Sequence, residues 1–108
     1  MPSYLVQVSY TSEAVAALVK SPQDRTAVVR KSVESLGGKL VGSWLSFGDY
    51  DVVLIAEMPD NVSAAALAMA AAGGGSLKSI KTTPLLSADE AKEAAAKASI
   101  SGYTPVQK

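Results

Sequence analysis

Phe47-Gly48-Asp49-Tyr50-Asp51-Val52-Val53-Leu54-Ile55-Ala56-Glu57-Met58 is the stretch that decides the fold. Val52 to Ala56 is apolar at both parities, the pattern of a strand covered on both faces and therefore central in its sheet. Just upstream, Gly48-Asp49 reads as a two-residue hairpin turn, with glycine supplying the positive φ of a type II′ first position. The partner strand is then Lys39 to Phe47. This register sets Phe47 opposite Tyr50, Leu45 opposite Val52, Ser43 opposite Leu54 and Val41 opposite Ala56, on the face expected to lie under helices. Ser46 with Asp51, Trp44 with Val53, Gly42 with Ile55 and Leu40 with Glu57 fall on the other face. A three-residue turn would exchange the two faces, but it favours glycine in third position, where Tyr50 stands.

Outward from the hairpin, Ser3 to Tyr10 alternates as a strand, with Tyr4, Val6, Val8 and Tyr10 on one parity and Leu5, Gln7 and Ser9 on the other. Thr11-Ser12 can cap a short helix through Lys20. Ser21-Pro22 interrupts it and opens a second piece to Leu36, closed by Gly37-Gly38. Asp60 caps a helix to about Ala72. Ser76 to Thr83 is the fourth strand. Ser87-Ala88-Asp89-Glu90 is a capping box for a last, alanine-rich helix, and Ile100 to Lys108 is a loose tail. The order β-α-β-β-α-β predicts an α+β, ferredoxin-like domain over residues 1–86. Its four-stranded antiparallel sheet has strands one and three in the middle. The C-terminal helix and tail occupy 87–108.

Composition narrows the chemistry. The 108 residues include no cysteine and no histidine, and ten basic residues balance ten acidic ones. Thiolate nucleophiles, disulfides, histidine general bases and the usual transition-metal ligands are therefore absent. No metal and no cofactor is expected. No basic stripe suggests nucleic acid. The apolar run Ala64 to Ala72 is too short to span a bilayer, no targeting segment is seen, and a cytoplasmic location is expected. Zero net charge gives no electrostatic resistance to self-association.

Leu5, Trp44, Val53 and Ile55, with Gln7, fall on the helix-free face. An apolar patch of this kind marks an interface or a ligand site. A homodimer, or a higher homo-oligomer, is the expectation. Trp44 could anchor a dry interface or line a cleft with Asp51 between subunits. Tyr50 and Asp51 could bind a small polar ligand together with Trp44 and Gln7. Alternatively they serve the turn, with Gly48 bending it, Tyr50 packing on Phe47 and Asp51 satisfying turn amides. Gly73-Gly74-Gly75 precedes a strand and lacks a following Gly-Lys-Ser/Thr, which argues against a phosphate loop.

Gly48, Tyr50 and Asp51, followed by Glu57-Met58-Pro59-Asp60, resemble the signature of the GYD-domain family. Tyr10-Thr11, Ser21-Pro22 and Leu36-Gly37-Gly38-Lys39 agree with it, so the resemblance runs from Tyr4 to about Glu90. It implies a relative of the dimeric α/β barrels, in which two ferredoxin-like sheets meet face to face. It implies no settled activity. The expected function is thus a dimeric module that binds a small ligand in a cleft on the open sheet face. The alternative is a cofactor-independent isomerase or oxygenase of the dimeric-barrel type acting on a small aromatic or carbonyl compound. There Trp44 and Tyr4 or Tyr10 would shape the cleft and Asp51 would act as base. RNA binding on the open sheet is disfavoured, since Trp44 has no basic neighbours there.

Overall fold

The computed structural model describes residues 1–107. Eight elements follow in chain order: β1 (Ser3–Tyr10), α1 (Ser12–Lys20), α2 (Thr26–Ser35), β2 (Lys39–Leu45), β3 (Val52–Glu57), α3 (Asn61–Gly73), β4 (Leu77–Leu85) and α4 (Ala88–Ser99). The sheet order is β2-β3-β1-β4, all antiparallel. The two strands expected in the centre are there, and the α+β ferredoxin-like expectation holds, with the first crossover divided into two helices.

Caps explain where the helices begin. The Thr11 hydroxyl accepts from the Ala14 amide at 3.1 Å, and the Asp60 carboxylate from the Ser63 amide at 2.8 Å. Ser87 and Glu90 form the reciprocal capping box. The amide of Ser63 holds the Asp60 carboxyl below its ordinary range. Ionised Asp60 therefore steadies α3 above the usual carboxylate pKa, and that support is lost as the pH falls through the lowered value. The expected start of the second helix at Pro22 is corrected: α2 begins at Thr26. The Asp24 carboxylate takes the Thr26 amide at 2.9 Å, so this later residue ends the loop instead of Ser21.

The core lies between one sheet face and helices α2 and α3. Tyr4, Val6 and Val8 of β1, Leu40 of β2, and Leu54 and Ala56 of β3 meet Val33 of α2 and Ala64 and Leu67 of α3. Met58, just past β3, closes the same cluster. The Tyr4 hydroxyl donates to the Asn61 side chain, tying β1 to the start of α3.

Three expectations about the hairpin are corrected. A bulge between Leu40 and Gly42 lets Leu40 pair with Ala56 and enter the core, while Val41 turns out to solvent. The loop is wider than a type II′ turn: the Ser46 amide donates to the Asp51 carbonyl at 2.7 Å, leaving Phe47 to Tyr50 as a four-residue connection. Four has the same parity as two, so the pairings Leu45–Val52, Trp44–Val53, Ser43–Leu54 and Gly42–Ile55 stand as expected. Leu45 and Phe47 are not core residues. They project beyond the helices and are 82% and 98% exposed.

β4 runs two residues further than expected, to Leu85, with Pro84 opposite Tyr4. Proline is tolerated because β4 is an edge strand. Every residue of α4 is exposed, as are residues 100–107; Lys108 lies outside the described residues. Truncation after Ser99 should therefore leave the melting temperature of the domain within about 2 °C, since exposed residues contribute little to stability. Differential scanning calorimetry checks this, and a large drop would show the tail docked.

Candidate functional site

β1 and β3 project alternate side chains away from the helices, and the register brings these into rows. Leu5 lies opposite Ile55 and Gln7 opposite Val53. Trp44 continues the second row across β3 from Val53, and Gly42 stands opposite Ile55. Leu5, Gln7, Trp44, Val53 and Ile55 thus share the open face, as the sequence indicated. Gly42 gives the indole its seat: a Cβ there would come within 2.5 Å of the Trp44 ring. The ring lies back over its own strand at Gly42 and still leaves 54% of the residue exposed.

The two sheet edges differ. β4 carries Lys78, Lys81 and Pro84, which discourage further strand pairing. The β2 edge and its loop present Val41, Trp44, Leu45 and Phe47, all exposed. An apolar sheet face thus runs into an apolar edge, with Lys81 opposite Gln7 on its far side.

The Gly-x-Tyr-Asp segment is held to the end of β1. Asp51 Oδ2 accepts from the Tyr10 amide at 2.8 Å. Its own amide donates to the Val8 carbonyl at 2.7 Å. The buried Ser9 hydroxyl donates to the Asp49 carbonyl at 2.7 Å, and the Ser46 hydroxyl to the Tyr50 carbonyl at 2.7 Å. β1 changes register with β4 between Ser9 and Tyr10, and the Asp51 carboxylate supplies an acceptor for the amide there. Asp51 thus serves the neighbouring strand, where turn amides were expected, and Tyr50 has no packing partner in the fully exposed Phe47. Gly48 has φ of +131°, as the turn reading required, and nothing lies within 4 Å of where a Cβ would stand. Gly48→Ala should cost about 1–2 kcal/mol through backbone strain alone. Tyr50→Phe should cost less than about 0.5 kcal/mol, because only its backbone carbonyl is bonded. Urea unfolding of the two variants ranks them; Gly48→Ala as stable as the parent, with Tyr50→Phe impaired in binding at unchanged stability, would reject the structural reading of the motif.

No helix among the described residues is long and apolar enough to cross a membrane. Two cavities lie on the helix side of the sheet, away from Trp44. Sequence reasoning missed them. The available signal was the run of alanines in α3, whose side chains are too short to fill the space beside a helix.

Fold and motif together define a small α+β module with an uncovered apolar sheet face. The family model for the GYD domain matches residues 4–95, so the chain belongs to the GYD-domain family. It is similar to the glutamine synthetase and cystathionine beta-lyase binding protein of Thermus thermophilus. The two are 27% identical over 89 residues, which cover 82% of this chain and 94% of that one. Among solved structures it is similar to a protein of unknown function from Nitrosomonas europaea. That match has a TM-score of 0.44 and 19% identity, covering 81% of this chain and 90% of the other.

Proposed function

We propose that this protein is a homodimeric binding module: two copies meet through their open sheet faces, and the assembled module holds a protein partner without transforming a substrate. The observation that carries the reading is the continuity of Leu5, Trp44, Val53 and Ile55 with the exposed β2 edge. A dimer of standard size buries about 1,600 Å² in total, about 800 Å² from each copy, and a four-stranded face is of that order. Trp44 then anchors the interface, with Gln7 beside it, and neither lines a ligand cleft. The relative from Thermus thermophilus is named for binding two enzymes, which favours an enzyme surface as the partner. The enzyme alternative draws no support from Asp51, whose Oδ2 is occupied by a backbone amide.

Sedimentation velocity tests both parts. At micromolar concentration the protein should sediment at twice the chain mass. It should also co-sediment with purified glutamine synthetase or cystathionine beta-lyase. A monomer would refute the assembly, and a dimer that leaves both enzymes' boundaries unchanged would refute the assignment of partner.

A further inference from the structure

The helices do not close over the sheet. α2 packs along the β2 side and α3 along the β4 side, leaving a cavity of about 320 Å³ above β1 and β3. The cause lies in the side chains facing it. α3 contributes Leu67, Ala70 and Ala71 to the wall, and Gly74 follows at its end, so past Leu67 nothing on that flank is longer than a methyl group. The floor is Val8, Val52 and Ile80. A volume of this size equals roughly ten waters' share of liquid, which suits a ligand of on the order of ten non-hydrogen atoms.

One end of the cavity is polar. Tyr10, Arg25 and Ser76 stand there, and the same three line an adjoining hollow of about 180 Å³ beside α1. Arg25 is the sole charged residue lining either space, and no carboxylate lines them. Among the described residues the one ion pair is Lys97 with Glu93, so Arg25 has no acidic partner within 4 Å. The carboxylate next to it in sequence, Asp24, is turned to the Thr26 amide.

A largely apolar wall ending in one unpaired guanidinium beside two hydroxyls matches one kind of molecule. We infer that the cavity binds a small amphiphilic monocarboxylate. The carboxylate takes two parallel hydrogen bonds from Arg25, and the tail lies between α2 and α3 against Val52 and Ile80. Tyr10 and Ser76 offer further donors to the anion. The site lies on the opposite side of the sheet from the proposed interface and does not depend on it.

Methyl NMR titration of the full chain with sodium octanoate, octanol and octylammonium tests the inference. Octanoate should shift the methyls of Val8, Val52 and Ile80 with a Kd below about 1 mM, within the range open to a ten-atom ligand. Octylammonium should bind at least about tenfold more weakly, since it brings like charge to Arg25. Arg25→Gln should lower octanoate to the level of octanol, and Ala71→Phe should block all three ligands by filling the cavity. Equal binding of anion and cation, an unchanged octanoate Kd in Arg25→Gln, or shifts at Leu5, Val53 and Ile55 in place of the cavity methyls would overturn it.

Discussion

Trp44→Asp should convert the proposed dimer to a monomer that remains folded. The indole is 54% exposed in the single chain, so its loss removes little from the monomer's own core. In a two-fold interface each substitution counts twice. Loss of a buried tryptophan anchor costs about 2 kcal/mol per copy, and two carboxylates are then carried into an apolar contact. Some 4 kcal/mol in total corresponds to a dissociation constant raised about a thousandfold. Sedimentation equilibrium reads the change in mass, and circular dichroism checks that the fold survives. Val62→Asp is the control. Val62 is 79% exposed but sits in the first turn of α3, away from the open face, and its replacement should leave the mass of the assembly unchanged. Dissociation by Val62→Asp, or an intact Trp44→Asp dimer, would move the interface elsewhere.

The largest loss of stability should come from Gly38→Ala. A Cβ at Gly38 would lie 2.5 Å from the Glu57 carbonyl oxygen, 2.6 Å from the Met58 sulfur and 3.1 Å from a Val33 methyl. None of the three can yield easily. Glu57 is paired on both sides, to Ser3 and to Lys39, and Met58 and Val33 are fully buried. Overpacking a core against a fixed backbone costs about 3 kcal/mol. Gly73→Ala is the matched comparison. It ends α3 with nothing within 4 Å of the added methyl, so alanine there should be neutral or stabilise by up to about 1 kcal/mol. Urea midpoints of the two variants measure the contrast. A Gly38→Ala variant as stable as the parent would show that β2 and β3 can part at that point.

What could be read from the residues, and what could not, divides on physical lines. The run from Val52 to Ala56 carries its own evidence of a central strand, because a strand covered on both faces has no polar parity. The open face was equally legible, since parity survives a change from a two-residue to a four-residue loop. The bulge at Val41 was not. Leu40 and Val41 are both apolar and β-compatible, and only packing against Ala56 and Val33 selects Leu40 for the core. Gly42 was placed opposite Ile55 but not read as a close approach, and the group that needs its missing side chain is the Trp44 ring two residues on. Asp51 was recognised as part of a motif, but its bond to the Tyr10 amide spans 41 residues, and no local pattern encodes such a contact. The cavity escaped for a related reason: small side chains are visible in a sequence, whereas the spacing of the two helices they fail to bridge is not.

The claim that the open sheet face joins two copies is tested most directly by isotope-filtered NOE spectroscopy on a mixture of ¹³C-labelled and unlabelled protein. Intermolecular cross-peaks are expected from the labelled methyls of Leu5, Val53 and Ile55 to the Trp44 indole of the unlabelled copy. Cross-peaks confined to methyls of the helices, or none from these three residues in a sample shown to be dimeric, would contradict it.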